Sequence, residues 1–235
     1  MRIYPKFQEV DGLMLITAHS GADGTPDNSL EFVRHAIALP VDALEIDVRK
    51  TSDGKLVLSH DEILPDGSNV LCDLDEVFAL VAPTDKKINC DLKPAGLEKA
   101  VMDLAKKYGL LQRLIFSGTV SANIREEQPE VYQNVEIFIN CDMLVPEIMD
   151  CMEARQLPCD DLLKEALRHC QEKGFRVMNL YYRLCTPPVV EAARDLGIKL
   201  SAWTVNTEEW INTLLPYGLH NMTSRKPMLV KQLAE

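Results

Sequence analysis

Short apolar runs alternate with amphipathic, helix-like stretches along the whole chain. The runs that read as strands are Leu13–Ala18, Ala43–Val48, Lys55–Ser59, Ile88–Leu92, Arg113–Ser117, Val135–Asn140, Arg176–Leu180, Lys199–Thr204 and Leu219–Met222. Helical patterns cover Ser29–Ala38, Leu97–Tyr108, Asp161–Gly174, Pro188–Leu196 and Thr207–Leu215, and a further crossover helix is expected around Asp73–Val81. Gly109, Gly174, Gly197 and Gly218 each close a helical stretch, where a C-terminal cap favours glycine. Strand–helix alternation implies parallel strands joined by crossover helices. Lys55–Ser59 follows a Ser52-Asp53-Gly54 turn directly, so it extends or pairs with the strand before it. Counting those two as one unit leaves eight strands. That number predicts an α/β fold closed into a (β/α)8 TIM barrel, and no glycine-rich dinucleotide fingerprint follows the first strand. Nothing reads as a linker, so residues 1–235 are expected to form a single barrel domain. Asn140–Asp160 is less regular than the rest, with scattered Met, Cys and acidic residues.

Length agrees with that picture: the chain has 235 residues, and barrels of this kind use about 250. Net charge narrows the partners. At -11, broad binding to nucleic acid or to an anionic membrane is disfavoured. A phosphate ligand would need positive charge supplied locally. No apolar run approaches the roughly 20 residues that span a bilayer, and Met1–Gln8 lacks the basic-then-apolar layout of a leader. Seven cysteines, an odd number without a CxxC pair, argue against a full disulfide set and a zinc ribbon. They read as reduced packing residues of a cytoplasmic protein.

Barrel chemistry sits at the C-terminal strand ends, and here those ends are polar. The first strand ends in His19. The second carries Glu45 and Asp47, and its extension ends in His60 and Asp61. The third carries Asp91 and Lys93, and the seventh runs into Trp203 and Asn206. Glu45-Ile46-Asp47 has period two, so both carboxylates leave one face of the strand. They repel one another unless a cation binds or one is protonated. With Asp91 from the neighbouring strand they make three oxygen ligands without a thiol, a set for Mg²⁺ or Ca²⁺. Asn89, Asp91 and Lys93 share a parity, which aims Lys93 into the same cavity. Each feature alone has a bland reading, from a solvated sheet face to a core tryptophan or a turn aspartate. Their coincidence at strand ends carries the argument. His35, His169 and His220 fall in helical or surface-like contexts and receive no role.

The ordered segments Thr17-Ala18-His19-Ser20-Gly21, Pro26-Asp27-Asn28-Ser29, Asp42–Val48, Thr51-Ser52-Asp53-Gly54 and Ser59-His60-Asp61 resemble the N-terminal signature of the glycerophosphodiester phosphodiesterases. Ile88–Lys93, Trp203-Thr204-Val205-Asn206 and Met222–Pro227 are similar to that family's later motifs, whereas about Gln112 to Arg176 matches only as strand–helix alternation. The resemblance implies a barrel of the phospholipase-C-like phosphodiesterase type. It also implies hydrolysis of a glycerophosphodiester, a small-molecule substrate, to glycerol 3-phosphate and an alcohol. It makes His19 and His60 the acid–base pair, and Glu45, Asp47 and Asp91 the ligands of Mg²⁺ or Ca²⁺. Lys93, Trp203 and the position of Ser20 become substrate contacts.

Several positions depart from the family pattern. Ser20 replaces an arginine, Asp27 and Asp91 replace glutamates, Ser224 alters the final Thr-Asp-x-Pro region, and the stretch from His60 to Ile88 is short. Serine cannot supply the bidentate fork of arginine. Arg49, in parity with Glu45 and Asp47, is a candidate substitute, with a surface ion pair as its alternative. Between His60-Asp61 and the third strand, Glu62 to Lys87 must also supply a crossover helix, so an inserted cap is not expected. Two rival functions remain: a lyase-type attack on another phosphodiester headgroup, and a barrel that binds phosphodiesters without turnover.

Overall fold

The computed structural model describes residues 14–70, 72–153 and 159–235. The expected start of the first strand at Leu13, the Met1–Gln8 reading and part of the irregular stretch at 154–158 lie outside them. In chain order the elements begin β1 (Leu15–Ala18), α1 (Leu30–Ala38), β2 (Ala43–Lys50), β3 (Leu56–Leu58), α2 (Leu74–Val81), β4 (Lys87–Leu92), α3 (Glu98–Lys107) and β5 (Leu114–Gly118). Then follow α4 (Ile124–Glu127), α5 (Pro129–Asn134), β6 (Glu136–Asn140), α6 (Cys141–Leu144), α7 (Glu147–Glu153), α8 (Asp160–Glu172) and β7 (Val177–Tyr181). The chain closes with α9 (Pro187–Asp195), β8 (Lys199–Trp203), α10 (Glu208–Leu214), β9 (Asn221–Ser224) and α11 (Pro227–Ala234).

Strand order is β1-β9-β8-β7-β6-β5-β4-β2, and β1 also pairs with β2, which closes eight parallel strands into a barrel. β3 runs antiparallel to β2, with Val48 opposite Leu58, so the Ser52-Asp53-Gly54 turn makes a hairpin outside the barrel count. α2 begins where a capping box permits: Asp73 accepts from the first turn while the Glu76 side chain reaches back to the Asp73 N–H. Among the described residues, it is the one helix between β3 and β4.

Strand parity explains how one sheet makes both a core and a site. Leu44, Ile46 and Val48 of β2, Ile88, Cys90 and Leu92 of β4, and Met178 and Leu180 of β7 face outward into the main apolar core under the helices. The alternate residues fill the lumen in layers. At the N-terminal end Ile115, Phe138 and Val177 form a separate apolar plug with Leu15 against it. Above it lies a polar layer. There Ser117 donates to Asn89 at 3.0 Å, Thr17 to Asn221 at 2.7 Å and Asn221 to Ser201 at 2.9 Å. Buried polar groups must find such partners, and these residues supply them to one another. Among the described residues, that plug fills the lower lumen, and the large cavity lies at the C-terminal strand ends.

The irregular stretch after β6 contains α6 and α7 in its described part. Their brevity hid the 3.6-residue period from a pattern reading. α4, α5 and α11 also escaped it; α4 is a single turn and α5 less than two, divided at Pro129.

Candidate active site

The mouth of the barrel is set by the register of β2 against β4. Glu45 pairs with Asn89 and Asp47 with Asp91, so side chains two residues apart on each strand converge. One carboxylate oxygen from each of Glu45, Asp47 and Asp91 lies within 4.8 Å of the other two. Burial, reinforced by Asp47 and then Asp91, holds Glu45 well above the ordinary carboxylate range. Burial also pushes Asp91 up, to about 6, although Lys93 opposes it. Asp91 Oδ1 is buried without a hydrogen-bond partner among the described residues. It fits there because the next strand offers Gly118: a Cβ at that position would stand 2.0 Å from Asp91 Oδ1. Three crowded carboxylates with one orphaned oxygen leave negative charge unbalanced, and their all-oxygen donor set fits a hard divalent cation.

Lys93 reaches the same acids, with Nζ 2.5 Å from Asp47 Oδ1 and 3.5 Å from Asp91 Oδ2. Burial works against its charge, but Asp91 and Asp47 outweigh it and hold the ammonium above its ordinary pKa. A second layer fixes the acids. The Ser20 N–H donates to Glu45 Oε2 at 3.1 Å. Asn28 trades two bonds with Asp47, its Nδ2 donating at 2.8 Å while its Oδ1 accepts the Asp47 N–H at 3.0 Å. Asn28 sits at φ 52, a left-handed conformation that asparagine tolerates better than most residues. Ser20, expected as a substrate contact, is 1% exposed and is absent from the cavity wall. Its hydroxyl accepts the Asn28 N–H at 2.7 Å, so the side chain is committed to the loop that holds Asp47.

His19 and His60 both border the cavity. Nδ1 of His19 lies 2.8 Å from the Ser20 carbonyl, which makes Nδ1 the donor and leaves Nε2 with its lone pair, 3.8 Å from Glu45 Oε2. Burial is the main cause that lowers the His19 pKa, partly offset by the Ser20 carbonyl. His60 stands at the rim, its side chain 67% exposed and its Nδ1 2.8 Å from Asp61 Oδ1. That contact occupies Nδ1 and leaves Nε2 as the ring nitrogen available for chemistry. Arg49, the candidate clamp, donates from Nε and Nη2 to the His60 carbonyl at 3.2 and 2.9 Å and so braces the His60 loop. His35, His169 and His220 do not line the cavity.

The cavity has a volume of about 800 Å³. Trp203 forms part of its wall and packs against Tyr181. Asp142 and Met143 of α6 reach it as well. So does Arg225, whose Nη1 and Nη2 grip Asp27 at 2.8 and 2.9 Å. Sequence reasoning passed over Arg225. Only Ser224 beside it was weighed, and no periodicity marks a loop residue after the last strand.

The mouth of this closed TIM barrel gathers two buried carboxylates, a third that is half-buried, a lysine and two histidines, a set suited to phosphodiester chemistry. A profile of the glycerophosphoryl diester phosphodiesterase family matches residues 19–78. A glycerophosphodiester phosphodiesterase of Caldanaerobacter subterraneus subsp. tengcongensis is 23% identical, over 91% of this chain and 94% of that protein. Glycerophosphodiester phosphodiesterase from Thermotoga maritima superposes with a TM-score of 0.70 at 22% identity, covering 94% of this chain and 99% of the other. An Oleispira antarctica phosphodiesterase, solved in complex with the product sn-glycerol-3-phosphate, has a TM-score of 0.64 at 20% identity and covers 94% and 96% of the two chains. Profile, relative and folds agree in what the chain is similar to: glycerophosphodiester phosphodiesterases, by sequence profile over residues 19–78 and by fold over most of its length.

Proposed function

We propose that this barrel hydrolyses glycerophosphodiesters to glycerol 3-phosphate and an alcohol, with a divalent cation on Glu45, Asp47 and Asp91 and with His19 and His60 as base and acid. The observation that carries the reading is the orphaned, buried Asp91 Oδ1 in a carboxylate triad between two histidines. When bound, Mg²⁺ or Ca²⁺ supplies charge neutralisation at the phosphoryl oxygens. Everything else falls to side chains of this chain. His19, with its pKa lowered and its Nε2 unprotonated, accepts the proton of the attacking hydroxyl, whether water or the substrate's own glycerol. His60, oriented by Asp61 through Nδ1, returns a proton from Nε2 to the leaving alkoxide. Lys93 adds positive charge beside the phosphate, and Trp203 forms a wall for the organic part of the substrate.

The whole chain acts in this reading as one domain. Its seven free cysteines support a reducing, cytoplasmic location. No helix among the described residues is long and apolar enough to cross a membrane, which accords with a small soluble diester as substrate.

The test is turnover of glycerophosphocholine, glycerophosphoethanolamine and a chromogenic diester, with Mg²⁺, with Ca²⁺ and in excess chelator. Activity is expected with metal, lost on chelation and restored on readdition. Full turnover with metal content confirmed as nil ends the metal assignment, and no turnover of any diester with either ion ends the hydrolase assignment. Release of a cyclic phosphate as the final product would favour the lyase-type reaction.

A further inference from the structure

The cavity that must hold a phosphate is lined by seven carboxylates and only three side-chain cations. Two of the cations are already engaged inside the site. Lys93 lies against Asp47 and Asp91, and Arg49 spends its fork on the His60 carbonyl. The third is Arg225, on the loop after β9. β9 adjoins β1, so this loop meets the His19–Asp27 turn at the rim of the same mouth.

Arg225 is anchored at every level. Its N–H donates to Asn206 Oδ1 at 2.8 Å, and its carbonyl accepts the Asp23 N–H at 3.0 Å. Its guanidinium meets Asp27 fork on fork, at 2.8 and 2.9 Å. The two side chains close over Gly21 at φ +76, where a Cβ would stand 1.7 Å from Asp27 Oδ1 and 2.7 Å from Arg225 Nη1. A guanidinium carries five N–H donors, and Asp27 takes two, so three are left for another acceptor. The group is 40% exposed in its side chain while lining the cavity, which leaves it reachable by a ligand.

We propose that Arg225 binds the substrate's phosphate group, with Asp27 and Asn206 as the positioning residues that aim it, in place of the arginine that the family resemblance puts at Ser20. The proposal rests on the phosphodiesterase reading given above. A guanidinium held by a carboxylate on one edge presents its other edge in a fixed plane, the arrangement suited to two oxygens of a phosphate. The Asp27–Arg225 pair also bridges the loops after the first and last strands, so phosphate binding and closure of the barrel seam share one side chain.

The test compares wild type with Arg225→Ala, Arg225→Lys and Asp27→Asn, with Lys226→Ala as the control for loss of one nearby exposed charge. Each is measured for KM and kcat on glycerophosphoethanolamine with Mg²⁺ and for inhibition by glycerol 3-phosphate. Arg225→Ala is expected to raise KM and weaken glycerol 3-phosphate inhibition at least tenfold each. Arg225→Lys should recover only part of the loss, because an ammonium lacks the fork. Asp27→Asn should fall between wild type and Arg225→Ala, Lys226→Ala should match wild type, and added guanidinium should rescue Arg225→Ala where equal NaCl does not. Wild-type KM and inhibition in folded Arg225→Ala would overturn the proposal and leave the hydrolase reading standing. Wild type that turns over no diester, but binds glycerol 3-phosphate through Arg225, would sink the hydrolase reading and keep the clamp.

Discussion

Gly118 offers a direct test of whether Asp91 is a metal ligand. It lies at the end of β5, paired with Leu92, with φ +80. A Cβ there would be 2.0 Å from Asp91 Oδ1, 2.6 Å from the Leu92 carbonyl oxygen and 2.8 Å from the Leu92 N. The Gly118→Ala change therefore imposes two separable costs. One is the positive φ, about 1–2 kcal/mol for a residue with a Cβ. The other is steric: the Asp91 carboxylate must move aside, and the Leu92 backbone, at 2.6 and 2.8 Å, must shift with it, so the ligand and the strand that carries it are both displaced. Gly109→Ala isolates the first cost: its φ is +68 and nothing lies within 4 Å of its Cβ. Urea unfolding should show Gly109→Ala down by about 1 kcal/mol and Gly118→Ala down by at least that much. Titration calorimetry with Mg²⁺ or Ca²⁺ should show unchanged affinity in Gly109→Ala and a loss of about 10- to 100-fold in Gly118→Ala, the scale on which mispositioned ligands act. Folded Gly118→Ala that binds metal as tightly as wild type would remove Asp91 from the ligand set.

His19→Ala and His60→Ala should each lower kcat by roughly 10²-fold or more while the protein stays folded; near wild-type turnover of either variant takes that histidine out of the mechanism. At the opposite end of the barrel, hydrogen bonding from His220 and Lys87, against the opposing effect of burial, lowers Glu136 to about 2. A depressed carboxylate stabilises the fold above its ordinary pKa and loses that contribution as pH falls toward the folded value. Glu136→Gln should therefore cost about 1 kcal/mol at pH 7, discounted for the partial exposure of the pair, with the gap closing as pH falls below about 4.5. Unfolding curves showing a pH-independent gap would refute it. With α2 as the one described helix between the His60 loop and β4, the mouth has little to grip the leaving alcohol, and kcat/KM for choline, ethanolamine and glycerol diesters should agree within about tenfold. A strong preference for the cationic headgroups that disappears in Asp142→Asn would instead assign selectivity to α6.

How far the chain could be read depended on which residues obey a period. β2 and β4 announce themselves because Leu44, Ile46 and Val48, or Ile88, Cys90 and Leu92, alternate with polar residues, and that parity sends Glu45, Asp47 and Asp91 to one face. That Lys55–Ser59 extends or pairs with the strand before it was also legible, since Asp53-Gly54 is turn chemistry of short range, and the structure selects antiparallel pairing. α6 and α7 were not, because an amphipathic stripe needs more than one or two turns to show. The polar network that holds the acids was only half visible: Asn28 lay inside a recognisable motif, but its paired bonds to Asp47 follow from a left-handed backbone that no pattern reports.

Ser20 and Arg225 show the limit most clearly, because they are distant in sequence and adjacent in the barrel. Read along the chain, Ser20 is a lost cation. In three dimensions the seam between β9 and β1 places residue 225 against Gly21 and Asp27, within the same turn that begins at His19. The charge a phosphate needs can then be supplied from the far end of the chain, across the seam from the serine that lacks it. Two further details fit such a transfer. Ser20 is small enough to be buried and to accept the Asn28 N–H, a place where an arginine side chain would have to leave for the cavity. Asp27 spans to Arg225 with both oxygens, so the shorter acid at this position is matched to a partner that now lies across the seam. The serine, the aspartate and the distant arginine are therefore best understood as one compensated set. Changing Asp27 or Arg225 singly should disturb phosphate affinity more than it disturbs folding, since the Asp27–Arg225 pair is solvent-accessible and exposed pairs contribute only about 0–1 kcal/mol to stability.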